Sequence, residues 1–197
     1  MSEIWGLILA AGESKRMKLQ KLLLPFEGKT ILERVIEKVL FSKVEKILVV
    51  TGSGRDDILK LIDRLPVQHC FNKRYSEGML SSVKCGFKSL PASCGAALVF
   101  LGDQPMISVK SIDDIIEGYT HSGKRIAVPT YGGKRGHPLL VDMKYRDKVN
   151  KMNEKEGLHS LLSQFSGDVL EVPVDDPGIL RDIDTKDDYQ NELNKNQ

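Results

Sequence analysis

The 197-residue chain has little of several things, and each shortage excludes something. Cysteine is scarce. Cys70, Cys85 and Cys94 are the whole complement of 3, widely spaced and without a C-x-x-C pair. That excludes a disulfide framework, and the thiols are expected to be reduced and structural. No sign of charge dominates. Lys plus Arg is 29 and Asp plus Glu is 27, a net charge of +2, so the basic excess of a nucleic-acid-binding chain is missing. A local basic pocket for a phosphorylated small molecule remains compatible with that balance. Long apolar runs are missing too. The first run, Ile4 to Ala11, follows Glu3 and is cut off by Glu13, Lys15 and Arg16. It is too short to span a bilayer and lacks the flanks of a signal peptide, so a cytoplasmic chain without a membrane partner is expected. Repeats, low-complexity tracts and linkers are absent, and only the polar tail after Tyr189 reads as frayed.

What is present fits one globular domain over residues 1–197, at ~100–200 residues per domain. Such a chain is large enough for a core that needs neither disulfide nor metal. Apolar runs alternate with amphipathic ones. Strands are expected at Ile4–Ala10, Lys46–Thr51, Val67–Phe71, Ala96–Leu101, Ile126–Thr130, Pro138–Val141 and Val169–Val174. Helical spacing marks Thr30–Leu40, with Thr30 as cap and Glu33 three residues on, and then Asp56–Leu65, Leu80–Leu90, Ser108–His121, Tyr145–Asn150, Leu158–Phe165 and Lys186–Leu193. A loop fills the interval up to about Gly28. The alternation predicts an α/β fold, a three-layer α/β/α sandwich around a mostly parallel, Rossmann-like sheet. Ligands of such sheets bind beyond the carboxyl ends of the strands, here the loops after Ala10, Thr51, Phe71 and Leu101.

The first of these loops reads Leu9-Ala10-Ala11-Gly12-Glu13-Ser14-Lys15-Arg16-Met17, with Lys18 and Lys21 following. A turn of small residues lets backbone N–H groups approach an anion. Its cations suit a polyphosphate: a guanidinium forks onto two oxygens, and an ammonium acts as a point charge. It is not a Walker A loop, because Met17 stands where the second glycine belongs. A solvated basic connection is the plainer alternative. Asp103, in Leu101-Gly102-Asp103-Gln104-Pro105, ends an apolar strand. It is placed either to bind Mg²⁺ or to cap the helix that follows. Glu77-Gly78-Met79-Leu80-Ser81-Ser82 opens a helix, where the serines are caps or meet a base or ribose. Gly132-Gly133-Lys134-Arg135-Gly136-His137-Pro138 is a glycine-rich turn, either a β-hairpin with a basic tip or an acceptor contact. Arg181-Asp182-Ile183-Asp184-Thr185 puts two acids on one face of a short strand, and either one is a second metal ligand opposite Asp103. Thr185 with Asp187 and Asp188 reads as a helix start. Thr51-Gly52-Ser53-Gly54-Arg55-Asp56-Asp57 begins like a dinucleotide fingerprint but has Asp57 in place of the third glycine.

In their order, these stretches resemble the MobA-like nucleotidyltransferases, within the superfamily that includes the sugar-1-phosphate nucleotidyltransferases. Ala10-Ala11-Gly12, running on to Lys21-Leu22-Leu23-Leu24-Pro25, is most similar to the molybdenum-cofactor cytidylyltransferase branch; the guanylyltransferase branch usually has Ala-Gly-Gly there. Lys18, Leu80 and Lys186 stand where the family usually has Gly, Ser and Pro. The resemblance spans about residues 4 to 189. It implies the fold of the nucleotide-diphospho-sugar transferases and transfer of CMP from CTP to the phosphate of a molybdopterin cofactor, with release of pyrophosphate. Leu9, Ala10, Ala11, Gly12, Lys21, Gly78, Ser81, Ser82 and Asp103 would bind the nucleotide, with Arg16, Lys21 and Asp103 catalytic. Mg²⁺ (or Mn²⁺) would be held by Asp103 with Asp184 or Asp182, and the acceptor would meet Gly136, His137 and Pro138. The partners implied are the NTP, the pterin, and a receiving molybdoenzyme or its chaperone. The alternatives are a guanylyl or sugar-phosphate transferase of the same superfamily, or a dinucleotide-binding oxidoreductase.

Overall fold

The computed structural model describes residues 3–14, 17, 19–153 and 156–195. Strand β1 (Glu3–Ala10) is followed by a small hairpin, β2 (Pro25–Phe26) and β3 (Lys29–Thr30), and by helix α1 (Ile31–Leu40). Then come β4 (Lys46–Thr51), α2 (Arg55–Ile62), β5 (Gln68–Phe71), α3 (Met79–Ser89), β6 (Cys94–Leu101) and α4 (Val109–Ser122). The second half holds β7 (Ile126–Tyr131), β8 (Lys134–Arg135), β9 (Leu139–Asp142), α5 (Arg146–Lys151), α6 (Ser160–Gln164), β10 (Val169–Pro173) and α7 (Lys186–Lys195).

The main sheet has 8 strands in the order β10-β7-β9-β6-β1-β4-β5, with β8 paired to β7. β1 lies parallel to both β4 and β6, and β5 and β10 are parallel to their neighbours. Only β9 and β8 run the other way. The expected mostly parallel sheet is therefore present, with one reversed strand inserted.

Strand alternation builds the layers. Ile4, Ile8 and Ala10 face one way and pack with Val35, Ile36 and Val39 of α1, Ile58 and Ile62 of α2, and Ile112 and Ile115 of α4. Trp5 and Leu7 face the other way, against Val83 and Phe87 of α3, Val149 of α5 and Leu161 of α6. Helices thus cover both faces, as a buried parallel sheet requires. Helix α1 begins where the sequence predicts. The Thr30 hydroxyl accepts from the Glu33 N–H at 3.2 Å, and the Glu33 carboxylate accepts from the Thr30 N–H at 2.9 Å, a reciprocal capping box.

Two stretches differ from the sequence reading. The interval up to Gly28, read as plain loop, holds a helical turn at Lys21–Leu23 and the β2–β3 hairpin. Glu27 (φ 48°) and Gly28 (φ 79°) form the hairpin turn, with both central residues left-handed, which matches the twist of paired strands. The tail after Tyr189, read as frayed, continues α7 to Lys195. It is pinned where Glu192 pairs with Arg181. Among the described residues, no helix is long and apolar enough to cross a membrane.

Candidate active site

After β1 the chain crosses to β4 and β5 on one side, and with β6 it returns to the other. At such a reversal the carboxyl ends of adjacent strands open a crevice. A cleft of about 550 Å³ lies there. One wall is the first loop: Leu9, Ala11, Gly12, Glu13 and Ser14. Lys21 and Leu22 close one end, and Tyr75, Ser76, Gly78, Met79 and Ser82, around the start of α3, form another wall. Leu101, Asp103, Asp182 and Asp184 complete it.

Small hydrogen bonds shape the first loop. Ser14, at φ 49°, accepts from the Lys21 N–H through its hydroxyl at 3.3 Å and bonds the Gln20 side chain at 3.2 Å. The Gln20 amide donates to the Ser53 carbonyl at 2.8 Å, and the Ser53 N–H donates to the Ala11 carbonyl at 3.2 Å. Lys21 is thereby aimed inward. Its ammonium lies 2.5 Å from an Asp103 oxygen and 2.8 Å from an Asp184 oxygen, so one cation bridges two carboxylates. Burial pulls the Lys21 pKa down, but the Asp103 and Asp184 carboxylates outweigh it and hold the group above its ordinary value. Lys21 is a fixed positive charge at any neutral pH.

Asp103 and Asp184 are brought together by the backbone: the Ile183 N–H donates to the Asp103 carbonyl at 3.0 Å. With Ile183 fully buried, Asp182 and Asp184 on either side of it project to the cleft, as period-two spacing predicts. The short strand expected here does not form: the stretch is extended but pairs with no neighbouring strand. Asp182 makes no bond to Lys21; burial first, then Asp184 and Asp103, push its carboxyl up. The helix-start reading also holds. The Asp188 N–H donates to the Thr185 hydroxyl at 3.1 Å, and the Asp188 carboxylate accepts from the Thr185 N–H at 2.7 Å.

Not every expected residue reaches the cleft. Ala10 is fully buried on the opposite face. Ser81 and Ser82 do not cap α3, whose cap is Gly78 at φ 106°. The Ser81 hydroxyl is consumed internally: it donates toward the Arg74 and Gly78 carbonyls, both at 2.8 Å, and accepts from Asn72. Ser82, also held by Asn72 at 3.0 Å, does line the cleft. Gly136, His137 and Pro138 stand outside its walls. Gly136 N–H donates to the Pro129 carbonyl and His137 N–H to the Ile179 carbonyl, each at 3.0 Å. The His137–Pro138 peptide bond is cis. Burial holds the His137 ring below its usual pKa, against the pull of the Asp103 carboxylate. The Gly132-Gly133 turn is the tip of the β7–β8 hairpin, and Arg135 there pairs with Glu171. Arg16, with Lys15 and Lys18, lies outside the described residues.

Glu13, Ser14, Leu22, Tyr75, Ser76, Met79 and Leu101 line the cleft without having been singled out as site residues. The neighbours of Gly12 and Lys21 were legible from adjacency. Tyr75 and Ser76 sit in a single helical turn, Tyr75–Glu77, that no motif announces. The loop after Thr51 is beneath the site rather than in it. A Cβ at Gly52 would come within 2.7 Å of the Ala11 carbonyl and of the Tyr75 Cβ. The close approach that a dinucleotide's pyrophosphate would exploit is taken by the protein itself.

The donor set bears on a divalent ion. Among the described residues, no three His, Cys, Asp or Glu side chains converge to hold a metal. Two hard-oxygen donors, Asp103 and Asp184, already share one cationic group. Such a pair suits an ion that takes its remaining ligands from phosphates and water, as Mg²⁺ does.

A three-layer α/β/α sheet with a cleft at its strand reversal is the architecture of the nucleotide-diphospho-sugar transferase fold. The chain belongs to the MobA-like NTP transferase domain family, whose model matches residues 6–169. It is 29% identical over 194 residues to the molybdenum cofactor cytidylyltransferase of Escherichia coli, covering 96% of this chain and 95% of that one. It is 28% identical over 191 residues to the nicotine blue oxidoreductase of Paenarthrobacter nicotinovorans, covering 92% of each. The crystal structure of Rv0371c of Mycobacterium tuberculosis in complex with manganese has the same fold, at a TM-score of 0.82 and 21% identity over 98% of this chain and 99% of that one.

Proposed function

We propose that this chain acts as a single-domain cytidylyltransferase, moving CMP from CTP to the phosphate of a molybdopterin cofactor and releasing pyrophosphate. The observation that carries the reading is the Lys21 ammonium held between Asp103 and Asp184 at one end of a cleft walled by the Gly12 turn. The likeness to the Escherichia coli cytidylyltransferase supports the base and the acceptor.

In-line nucleotidyl transfer is mostly positioning and charge stabilisation. The backbone of Ala11 and Gly12 and the start of α3 at Gly78 would face the triphosphate. Lys21, with Arg16, would offset charge as an oxygen of the acceptor phosphate bonds to the α-phosphorus and the bond to the departing pyrophosphate breaks. The acceptor phosphate is already ionised at neutral pH, so no general base is required. His137, its pKa lowered by burial, serves with Gly136 and Pro138 as an acceptor contact. Asp103 and Asp184 would hold Mg²⁺ or Mn²⁺, which screens phosphate charge when bound. Manganese in the Rv0371c structure supports a divalent ion here. Asp184 is the stronger second ligand than Asp182, because it already shares a cation with Asp103. The cytoplasm, with a receiving molybdoenzyme or its chaperone, is the setting this reading implies.

The test is pyrophosphate release with Mg²⁺ and each of CTP, GTP, ATP and UTP, with and without molybdopterin cofactor. Release confined to CTP, dependent on the pterin and lost in Asp103→Ala, is expected. Release confined to GTP would make the chain a guanylyltransferase. No release, with redox turnover of nicotine blue instead, would replace transfer by the activity named for the Paenarthrobacter relative.

A further inference from the structure

Cys70 lies on β5, the edge strand, and Cys85 lies within α3. They are 15 residues apart in the chain, yet their sulfurs are 3.9 Å apart. Both are partly exposed, whereas Cys94 is buried. None of the three lines the cleft, so the transfer reaction does not account for the pair. We infer that Cys70 and Cys85 form a peroxide-responsive dithiol site, closing an intramolecular disulfide between the sheet edge and α3.

The two sulfurs are differentiated. The contact with Cys85 lowers the Cys70 thiol; burial opposes this and Ser89 assists it, leaving Cys70 lowered to about 7. Contact with Cys70, then burial, push Cys85 up. Cys70 is therefore the attacking thiolate and Cys85 the resolving thiol, the arrangement of sulfurs that oxidise selectively. The Cys70 sulfur attacks one oxygen of hydrogen peroxide. The O–O bond breaks, one water leaves, and Cys70 becomes a sulfenic acid. The Cys85 sulfur then bonds to the Cys70 sulfur, the S–O bond breaks, and the Cys85 proton leaves with the oxygen as a second water. Two thiols and one peroxide give one disulfide and two waters. The sulfurs, now in van der Waals contact at 3.9 Å, must close to about 2.05 Å.

The bond would tie the sheet edge to the helix whose first turn lines the cleft. Asn72, two residues beyond Cys70, already holds Ser81 and Ser82 of that helix. The experiment treats the whole reduced protein with hydrogen peroxide, alkylates it under denaturing conditions and maps it by mass spectrometry. The expected result is loss of two of the three thiols. The tryptic segments Leu65–Lys73 and Cys85–Lys88 should be joined, and dithiothreitol should restore both thiols. Cys94→Ser should behave as the wild type, and Cys70→Ser and Cys85→Ser should each abolish the cross-link. Three surviving thiols, arrest of Cys70 at sulfinic acid, a bond to Cys94 or a bond between molecules would each overturn the inference.

Discussion

Replacing Lys21 by methionine keeps a long side chain and removes its charge. In the wild type the ammonium sits 2.5 Å from Asp103 and 2.8 Å from Asp184, whose side chains are 19% and 34% exposed. Without it, two partly desolvated carboxylates face one another with no ammonium between them. Breaking a fully buried pair costs ~3–5 kcal/mol and an exposed one ~0–1; this intermediate site should lose about 1–2 kcal/mol. That corresponds to a Tm lower by roughly 2–8 °C at this chain length. Divalent-ion binding should move the opposite way. A unit charge repels a divalent ion by about 2 kcal/mol at ~4 Å in a water-like medium, so Mn²⁺ should bind Lys21→Met on the order of ten- to thirty-fold tighter. Nucleotidyl transfer should still fall by about 10²–10³, the loss typical of one donor aimed at developing charge. Calorimetric titration of Mn²⁺ into the nucleotide-free protein, a thermal melt and a pyrophosphate assay read the three effects. Mn²⁺ affinity unchanged or weakened would refute the view that Lys21 occupies the cation position between Asp103 and Asp184.

Gly12 in the cleft and Gly102 beneath it should part company. A Cβ at Gly12 would meet no atom of the described residues within 4 Å, so Gly12→Ala should leave the melting temperature alone and raise the KM for nucleotide, because on the proposed reading the methyl enters the space of the phosphates. A Cβ at Gly102 would come within 2.8 Å of the Leu9 carbonyl, so Gly102→Ala should cost about 1–3 kcal/mol in urea unfolding. Asp176 accepts from the Ser108 N–H, the Ser111 hydroxyl and the Gly178 N–H, each at 2.8 Å. Burial raises its pKa, but these donors outweigh it and hold the carboxyl below its ordinary value. A depressed carboxyl stabilises the fold above its unfolded pKa and stops doing so as pH falls through its folded one. Asp176→Asn should cost about 1–3 kcal/mol at pH 7, and the gap to wild type should close below the ordinary carboxyl range.

The elements that read cleanly from sequence are those whose burial is set by period. Ile4, Ile8 and Ala10 against Trp5 and Leu7 declare a strand covered on both faces, and Thr30 with Glu33 declares the start of α1. The β2–β3 hairpin did not declare itself, because two-residue strands carry no period and Glu27 is a non-glycine residue at φ 48°. The reversal of β9 between β6 and β7 is a tertiary choice that Leu139-Leu140-Val141 cannot express alone. In the site, the spacing of Asp182 and Asp184 gave their shared face, but only the position of Lys21 distinguishes them. Ser81 carried the residue type expected for a ligand contact, and the buried Asn72 side chain, invisible as a signal in sequence, claims its hydroxyl instead.

The central claim is transfer of a nucleotidyl group at the Asp103–Lys21–Asp184 cluster. The most direct test supplies CTP radiolabelled at the α-phosphate, together with molybdopterin cofactor and Mg²⁺, and follows the label. The account predicts that label moves onto the pterin as a dinucleotide while unlabelled pyrophosphate is released in equal amount, and that Asp103→Asn stops both. Label remaining in CTP, or passing to the pterin at an undiminished rate in Asp103→Asn, would contradict it.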